Sequence, residues 1–467
     1  MSVQAQAPGA TEPSSAPKSL ADQLAQFTAS VRVEDVPPEI RRQAAWLVLD
    51  WLGCAVAGLA TPPGQMFVQH TRDQPRGIAS CVGLADGRGP QVAALHNGGL
   101  SHIVEMDDVD RASVMHPGAV VVPAAFAVAE RVGAPGRDFL TAVVLGYEVA
   151  IRIGESVGRT HYFHWHNTST CGVFGAATAS GWLLGLDAER MAWALGNAGT
   201  QAGGLWEFIA EGAMSKHLHA GRAAANGVLA AELAALGFTG ARRILEGRQG
   251  FFAATAQDGN PSAVVARLGS GWKLPGVSIK PYPSCRHTHS SIDAVLELRT
   301  EHALAADEIE WVEIATYHSV LDLTDNPRPA HTYAAKFSVQ YCVARALLAG
   351  AVQLADFSDA RIAESAAREL MGRVRVVLDP TLDARYPREF PARVSVGLRD
   401  GRTLSLLVAS PKGDPETPLS EDELAAKFSA LVAFSPYANR TRVLLETIVD
   451  LDSHSNLRGL LALEEIR

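Results

Sequence analysis

The chain has 467 residues, of which 47% are hydrophobic and 19% charged, and its formal net charge is −9. This composition excludes a disordered chain, and the length exceeds what one hydrophobic core usually serves, so we expect two domains. The sequence shows no basic tract of the kind that binds nucleic acid, and no apolar stretch of the roughly 18 residues that a membrane span requires.

The first residues of the chain and its cysteines indicate the cellular compartment in which the protein functions. Residues 1–18 are rich in Ala, Pro, Ser and Gln without the order of charges and apolar residues of a signal peptide, so we predict a disordered tail. The five cysteines are dispersed and form no CxxC pair, which is typical of a reducing environment. We therefore predict a cytoplasmic protein.

Residues 19–273 show a mostly helical pattern. Pro37 and Pro38 favour the first turn of a helix, which we predict to run on to Gly58. Two Ala-rich apolar segments, Val120–Arg131 and Gly221–Leu236, predict buried helices, and Gly237 is a suitable residue to end the second.

The pattern changes near Leu274. Short β-branched segments predict strands at Ile309–Ile314, Val374–Leu378, Val394–Leu398 and Thr403–Val408, the last two joined by an Asp400-Gly401 hairpin turn. Helices are predicted at Phe337–Leu348, Asp359–Leu370, Glu421–Phe434 and Thr441–Asp450. The predicted fold is mainly α: a large helical domain (19–273 plus 409–467) interrupted by a smaller α+β lid domain (274–408).

The first polar cluster of the helical part contains His102, Glu105, Asp107, Asp108 and His116. If its beginning is helical, Ser101, Glu105 and Asp108 share one face, and His116 lies on a turn before a buried helix. The alternative is an acidic turn that caps a helix, accompanied by a hydrogen-bonded histidine.

The second cluster places His161, His164 and His166 within six residues. Such spacing allows a metal site, and imidazoles also serve as acid and base groups near neutral pH. The alternative is a surface loop with aromatic packing.

The third and fourth clusters carry cations. Lys216 lies among Gly and Ala where an apolar helix begins, and burying its charge requires a partner such as a substrate carboxylate; the alternative is a lysine that reaches solvent. Lys280, Cys285 and Arg286 follow on a proline-stiffened segment near the domain boundary. That segment could close over an anion, or it could be a rigid linker.

Other catalytic signatures are weak. The sequence has no Walker motif and no convincing GxGxxG turn. Gly154-Glu-Ser156-Val-Gly158 matches the letters of a serine-hydrolase elbow but ends a helical segment, whereas that elbow follows a strand. Acid/base chemistry on a carboxylate substrate is the remaining interpretation.

The ordered motifs resemble the MmgE/PrpD family. They are His102…Glu105-Met-Asp107-Asp108…His116-Pro-Gly, Lys216-His-Leu-His-Ala-Gly221 and Lys280-Pro-Tyr-Pro-Ser-Cys285, with Gly146-Tyr-Glu-Val149 and Gly185-Leu-Asp187. The resemblance spans about residues 20 to 460. The family contains 2-methylcitrate dehydratase, cis-aconitate decarboxylase and iminodisuccinate epimerase.

The resemblance implies an all-helical domain with a smaller α+β lid, an active site between them, a homodimer, and no required metal or organic cofactor. It matches His116, His166 and Lys216 to the family's site histidines and lysine, and Lys280 to its lid lysine. Glu105 falls where the decarboxylases carry an aspartate, and Cys285 where we align a decarboxylase histidine.

We therefore predict an acid/base enzyme that acts at the carbon next to a carboxylate of a small di- or tricarboxylic acid, as a dehydratase-like or decarboxylating lyase. The predicted catalytic residues are His116, His166, Lys216, Glu105 and Asp107. The predicted substrate-binding residues are Lys280, Arg286, His102, Asp108 and Cys285. The alternatives are an iminodisuccinate-like epimerase, a metallohydrolase that uses His161, His164 and His166, and a non-catalytic polycarboxylate binder.

Overall fold

The computed structural model describes residues 17–461, so the predicted tail lies outside the described residues except for Pro17 and Lys18. The helices that precede the predicted lid are α1 (Leu20–Ser30), α2 (Pro38–Gly58), α3 (Pro62–Arg72), α4 (Pro90–Ser101), α5 (Gly118–Val132), α6 (Gly136–Ser156), α7 (Gly158–His164), α8 (Asn167–Thr170), α9 (Gly172–Leu183), α10 (Ala188–Gly199), α11 (Phe208–Glu211), α12 (Ser215–Ala235) and α13 (Phe251–Thr255).

The later helices are α14 (His289–Glu301), α15 (His318–Thr324), α16 (Thr332–Lys336), α17 (Val339–Ala349), α18 (Asp359–Ile362), α19 (Ser365–Met371), α20 (Pro380–Asp383), α21 (Glu421–Val432) and α22 (Thr441–Val449). The strands are β1 (Arg76–Ala79), β2 (Val109–Asp110), β3 (Val277–Ser278), β4 (Ile309–Thr316), β5 (Val374–Leu378), β6 (Ala392–Leu398) and β7 (Thr403–Val408). The predicted mainly α fold with a smaller α+β part is confirmed.

The larger sheet has the strand order β5-β4-β6-β7. β4 runs parallel to β5, with Val312 opposite Val374, and antiparallel to β6, with Ile314 opposite Val394. β6 and β7 form the predicted hairpin, in which Gly401 has the positive φ of 89° that the turn requires. A second sheet pairs β2 with β3 and so joins the segment beside the first polar cluster to the residues just before Lys280.

Besides a small cluster of Cys54, Ala57, Val104, Met106 and Leu431, two large hydrophobic cores occupy the described part of the chain. One is built from residues between Leu20 and Val277 together with Phe428 to Leu461, and the other from residues between Ile292 and Leu398. The chain thus leaves the first core, builds the second and returns. The boundaries at 273/274 and 408/409 stay predictions.

Small residues let α4 and α12 pack closely. A Cβ at Gly221 of α12 would lie 2.3 Å from the carbonyl oxygen of Leu95 in α4, so the two backbones are almost in contact there. The α4 helix ends at Ser101, next to His102, and α12 begins at Ser215, next to Lys216. This close crossing brings the first and third polar clusters together.

One predicted helix and two of the conditional or alternative interpretations differ from the structure. The segment from His102 to Asp108 is not helical, because α4 stops at Ser101 and Glu105 has a positive φ of 60°. His161 lies in α7 rather than in a loop, and the helix predicted over 359–370 breaks into α18 and α19. Gly154 and Ser156 end α6, which agrees with a chance match to the hydrolase elbow.

Among residues 17–461, no single helix is long and apolar enough to cross a membrane. Helices α2 and α3 reach the length and apolar composition of a membrane span only when they are taken together, and their axes are bent by 92° at the junction.

Candidate active site

Asp107 lies between two histidines. One oxygen of its carboxylate, Oδ2, is 2.6 Å from Nδ1 of His102 and 3.3 Å from Nδ1 of His116. All three side chains are largely buried, and the two imidazole rings meet edge to face with centroids 4.9 Å apart. Burial acts to raise the pKa of Asp107, but its contacts with His116 and His102, including the hydrogen bond to His102, outweigh it and hold the pKa well below its usual range.

The position of the proton on His116 follows from its partners. Nδ1 is 2.7 Å from the carbonyl oxygen of Asp108, which can only accept a hydrogen bond, so Nδ1 carries the proton. No described residue bonds to Nε2, which is therefore left as a bare acceptor. Burial lowers the pKa of His116 to about 3, although Asp107 opposes this shift. The ring is therefore neutral, with Nε2 open to a proton.

His166 extends the histidine cluster. Its ring stacks on that of His102 with centroids 5.4 Å apart, and its Nδ1 is 3.3 Å from Nδ1 of His219. Trp206 covers the ring at 4.8 Å. Burial, reinforced by the charges of His102 and Lys216, lowers the pKa of His166 well below its usual value. A cavity of about 730 Å³ lies beside His219.

Glu105 lies between the ammonium groups of two lysines. Its carboxylate pairs with Lys216 through Oε1, and its Oε2 is 3.6 Å from Nζ of Lys280. These side chains are almost inaccessible to solvent. Burial would raise the pKa of Glu105, but Lys216 and then Lys280 overcome it and lower the pKa strongly. Lys216 does not reach solvent, so the alternative interpretation of this lysine is wrong.

Two further residues escaped the sequence interpretation. Lys336, the last residue of α16, is buried and donates a hydrogen bond of 2.6 Å to the carbonyl oxygen of Val104. Burial lowers its pKa to about 8, partly offset by Glu105. Tyr333, one turn earlier, has a buried hydroxyl without a hydrogen-bond partner among the described residues. The signal in the sequence was a tyrosine and a lysine three residues apart with two alanines between them, which would have indicated a further pair of buried polar residues.

Asp108 fits the alternative of a helix cap. Its carboxylate accepts hydrogen bonds from the hydroxyl of Tyr147, at 2.7 Å, and from the N–H of Gly118, the first residue of α5, at 3.0 Å. Burial raises its pKa well above the usual value. Only its backbone carbonyl contacts the histidine cluster, so the predicted substrate-binding side chain faces away from that cluster.

Arg286 is also engaged elsewhere. Its guanidinium pairs with Asp414 and donates to the carbonyl of Lys412 at 3.0 Å. The structure thus does not bring Arg286 into contact with Glu105 or with the histidines of the site. Cys285 is buried and lies within electrostatic range of Lys280 and Glu105, and burial raises the pKa of its thiol.

The three histidines of the second cluster do not assemble. His161 is buried and bonds through Nε2 to Thr170 at 2.8 Å and through Nδ1 to the carbonyl of Thr255 at 3.1 Å. His164 is exposed, and only His166 joins the site. Because His161 and His164 lie in helix α7, their side chains are buried and exposed respectively, and the spacing in the sequence did not reveal this difference.

The described residues with the spacing of a metal site are instead His102, Asp107 and His116, which offer ligand atoms within 4.8 Å of one another. Their Nδ1 atoms both face Asp107, and Nδ1 of His116 also faces a carbonyl, whereas Nε2 of His102 and Oδ1 of Asp107 are buried without a hydrogen-bond partner among the described residues. The cluster as built combines a bare imidazole nitrogen, a carboxylate that supports it and buried ammonium groups. Such a set can move a proton next to a carboxylate.

Comparison with known proteins places this site in a family. The chain is 28% identical to the cis-aconitate decarboxylase-like protein oryM of Aspergillus oryzae, over 94% of this chain and 96% of that protein. It is 27% identical to a cis-aconitate decarboxylase of Aspergillus terreus, with 96% of each chain covered. It is 32% identical to a 2-methylcitrate dehydratase of Cupriavidus necator over 28% of this chain and 29% of that protein.

Two family models account for most of the sequence in order. The MmgE/PrpD N-terminal domain matches residues 22–263 and the MmgE/PrpD C-terminal domain matches residues 282–452. The first match includes the histidine cluster and Lys216, and the second includes Cys285 and Lys336. Since these matches span both sides of the site, the chain belongs to the MmgE/PrpD family.

Proposed function

We propose that this protein is a cofactor-independent lyase that acts at the carbon next to a carboxylate of a small polycarboxylic acid. The observation that carries the proposal is the bare Nε2 of His116, whose ring is held by Asp107. The buried lysines 216 and 280 act electrostatically on the same ring. A substrate carboxylate there would meet positive charge, while its neighbouring carbon would meet a proton carrier.

In the proposed mechanism, Lys216 and Lys280 bind substrate carboxylates. As negative charge develops on the carboxylate during the reaction, these fixed ammonium groups stabilise it more than water would, because the surroundings are buried and already organised. His116 transfers the proton at the adjacent carbon, and His166 serves as the second acid/base group. Glu105 orients Lys216, and Asp107 stabilises His116 when it becomes protonated.

The same residues serve two lyase reactions. In a dehydration, His116 removes the proton, the carbon–oxygen bond breaks, and the hydroxyl group leaves as water with a proton from the second histidine. In a decarboxylation, a carbon–carbon bond breaks, carbon dioxide leaves, and a histidine delivers a proton to the carbon framework. Similarity along nearly the whole chain to cis-aconitate decarboxylases makes cis-aconitate the first substrate to test.

Dehydration is the second candidate, and it is favoured by the bare Nε2 of His116 and by the local similarity to a 2-methylcitrate dehydratase. Proton NMR of the purified enzyme in D₂O with cis-aconitate, 2-methylcitrate, citrate and iminodisuccinate separates the cases. Itaconate from cis-aconitate supports decarboxylation, and an olefinic product from a hydroxy acid supports dehydration.

Other outcomes, in this experiment and in separate chelation and binding assays, would contradict the lyase proposal. α-Deuterium incorporation with a change of diastereomer would identify an epimerase, and activity lost to a chelator and restored by zinc would identify a metallohydrolase. Tight binding without turnover of any acid would identify a binder. The homodimer implied by the family resemblance stays a prediction, which light scattering of the purified protein tests.

A further inference from the structure

The segment between α4 and β2 carries Glu105 and Asp107 on irregular backbone. Glu105 is a non-glycine residue with φ of 60°, a left-handed conformation that side chains with a Cβ rarely adopt. Residues held in this way persist only where the surroundings over-determine them, and they concentrate at functional sites. Neighbouring side chains must therefore hold the backbone of Glu105 in place.

Three consecutive carbonyl groups of this segment each accept a hydrogen bond from a different lysine. Lys336 donates to Val104 at 2.6 Å, Lys280 donates to Glu105 at 3.2 Å, and Lys427 donates to Met106 at 2.6 Å. We call these three residues the lysine clamp. All three ammonium groups are buried, and they come from three separate parts of the sequence.

The clamp fixes backbone torsions, not only a position. The carbonyl of Val104 defines the peptide plane before the Cα of Glu105, and the carbonyl of Glu105 defines the plane after it. Holding both oxygens therefore holds φ and ψ of Glu105. The carbonyl of Met106 in the same way defines the plane that precedes Asp107.

Lys336 is the member of the clamp with the most restricted set of polar contacts. Lys280 also approaches the carboxylate of Glu105, and Lys427 pairs with Asp50. Lys336 forms no ion pair with any described carboxylate, and its ammonium lies 5.7 Å from the ring centroid of Phe357. A buried ammonium group normally pairs with a carboxylate. Lys336 instead donates to the backbone carbonyl of Val104, which indicates that it positions this part of the backbone.

We propose that Lys336 is a positioning residue of the site: through the carbonyl of Val104 it holds Glu105 in the left-handed conformation that presents the glutamate carboxylate to Lys216. The inference rests on the proposed function for its effect on turnover. In this role Lys336 acts through the carbonyl of Val104 and not as a substrate ligand. Since Lys336 comes from the part of the chain that builds the second core, it also couples that core to the site.

The first test is a crystal structure of the Lys336→Met variant, which keeps an unbranched side chain one atom shorter and removes the donor. We expect Glu105 to move to negative φ and its carboxylate to leave Lys216. A variant in which φ of Glu105 stays positive and the contact with Lys216 persists would overturn the proposal. This measurement needs no turnover, so it stands even if no tested acid is a substrate and the proposed function fails.

The second test uses kinetics with cis-aconitate. We expect Lys336→Met to lower kcat by about 10²-fold, the scale of a small misplacement in a site, with little change in KM. The double variant with Glu105→Gln should be no slower than Glu105→Gln alone, because both changes remove one interaction. Additive losses, or normal kcat in Lys336→Met, would contradict the proposal. Lys412→Met, a half-exposed lysine paired with Glu423, is the matched control that should keep normal kcat.

Should Lys336→Met fail to fold, Lys336→Arg replaces it. A guanidinium can donate to the same carbonyl, so we expect retained kcat together with positive φ at Glu105. A structure in which the guanidinium points elsewhere while Glu105 and kcat are unchanged would overturn the proposal.

Discussion

At the scale of single residues, the partner of each ring nitrogen decides the chemistry of His116. A carbonyl oxygen on Nδ1 forces the proton to that side and leaves Nε2 free. The ionised Asp107 lies 3.3 Å away and stabilises the imidazolium that forms when Nε2 takes a proton. Burial keeps the ring neutral until then. The tautomer thus follows from one backbone contact.

Replacing His116 by Gln should lower turnover of the identified acid by ~10²–10⁴-fold, the usual contribution of a positioned acid/base group. The measurement is the rate of product formation by NMR, with circular dichroism to verify folding. His164→Gln is the matched control, because His164 is exposed and outside the site. Normal turnover of His116→Gln would remove this histidine from the mechanism.

At the scale of elements, the site depends on how closely helices meet. His102 follows the end of α4 and Lys216 lies in the first turn of α12, and the two helices almost touch at Gly221. A side chain at that crossing would push the helices apart. The separation would then change the distance between the histidine cluster and the Glu105–Lys216 pair.

Gly221→Ala should therefore reduce both stability and activity. The added Cβ would lie 2.3 Å from a backbone oxygen that cannot rotate away, and such overpacking typically costs about 1–3 kcal/mol. Urea unfolding and the rate of product formation check this. Gly89→Ala, in front of the same helix α4, meets no atom within 4 Å and should be neutral. Equal effects of the two substitutions would contradict the argument.

Glu130 fixes helix α5 to the segment after β1. Its carboxylate accepts hydrogen bonds from the N–H of Ser80 at 2.5 Å and from the Ser80 hydroxyl at 2.6 Å. Burial nevertheless raises the pKa of Glu130 to about 7, from 4.5. Between these values the folded protein holds a proton that the unfolded chain has lost. Hence this group makes the free energy of unfolding fall as pH rises through that window.

Glu130→Gln removes this titration. Relative to the wild type, the variant should gain stability between pH 4.5 and pH 7, by up to about 3 kcal/mol from the shift of the pKa. Urea unfolding at pH 5 and pH 8 measures the difference. Glu297→Gln, for which no comparable carboxylate contact exists among the described residues, serves as the control. A difference that does not change with pH would show that Glu130 does not titrate in this range.

At the scale of the whole molecule, Asp414 joins distant parts of the chain. Its carboxylate accepts from Arg111 at 2.9 Å and from the hydroxyl of Ser278 at 2.6 Å, and it pairs with Arg286. The aspartate is fully buried. It therefore ties the chain where it returns from the second core to the strands β2 and β3 beside the site.

Asp414→Ala should lower the free energy of unfolding by about 3–5 kcal/mol, because it leaves the buried guanidinium of Arg286 without a counter-charge. The double variant with Arg286→Met should lose less than the sum of the two single losses. Asp400→Ala removes an exposed ion pair with Arg402 and a hydrogen bond from the N–H of the same residue, and should cost about 1 kcal/mol. Denaturant unfolding measures the wild type and all four variants, and additive losses would contradict the coupling.

The amino-acid pattern predicted much of the fold because local rules act within one element. The strand Val374–Leu378 and the hairpin around Gly401 follow from β-branched residues and turn chemistry, and α2 follows from Pro38 in its first turn. The segment 102–108 escaped these rules. Its sequence is compatible with a helix, but contacts with lysines up to 321 residues away in sequence stabilise an irregular backbone there.

The residue types needed for acid/base chemistry, and their order along the chain, were legible from the amino-acid order alone, because histidines and lysines in apolar surroundings are costly to bury without a purpose. Which of them meet was decided by tertiary structure. Arg286 forms an ion pair with Asp414, His161 forms a hydrogen bond with Thr170, and Lys336 donates a hydrogen bond to the carbonyl of Val104. The physical reason is that every buried charge takes the partner that helix packing places within hydrogen-bond reach, and packing is set by contacts that sequence spacing does not record.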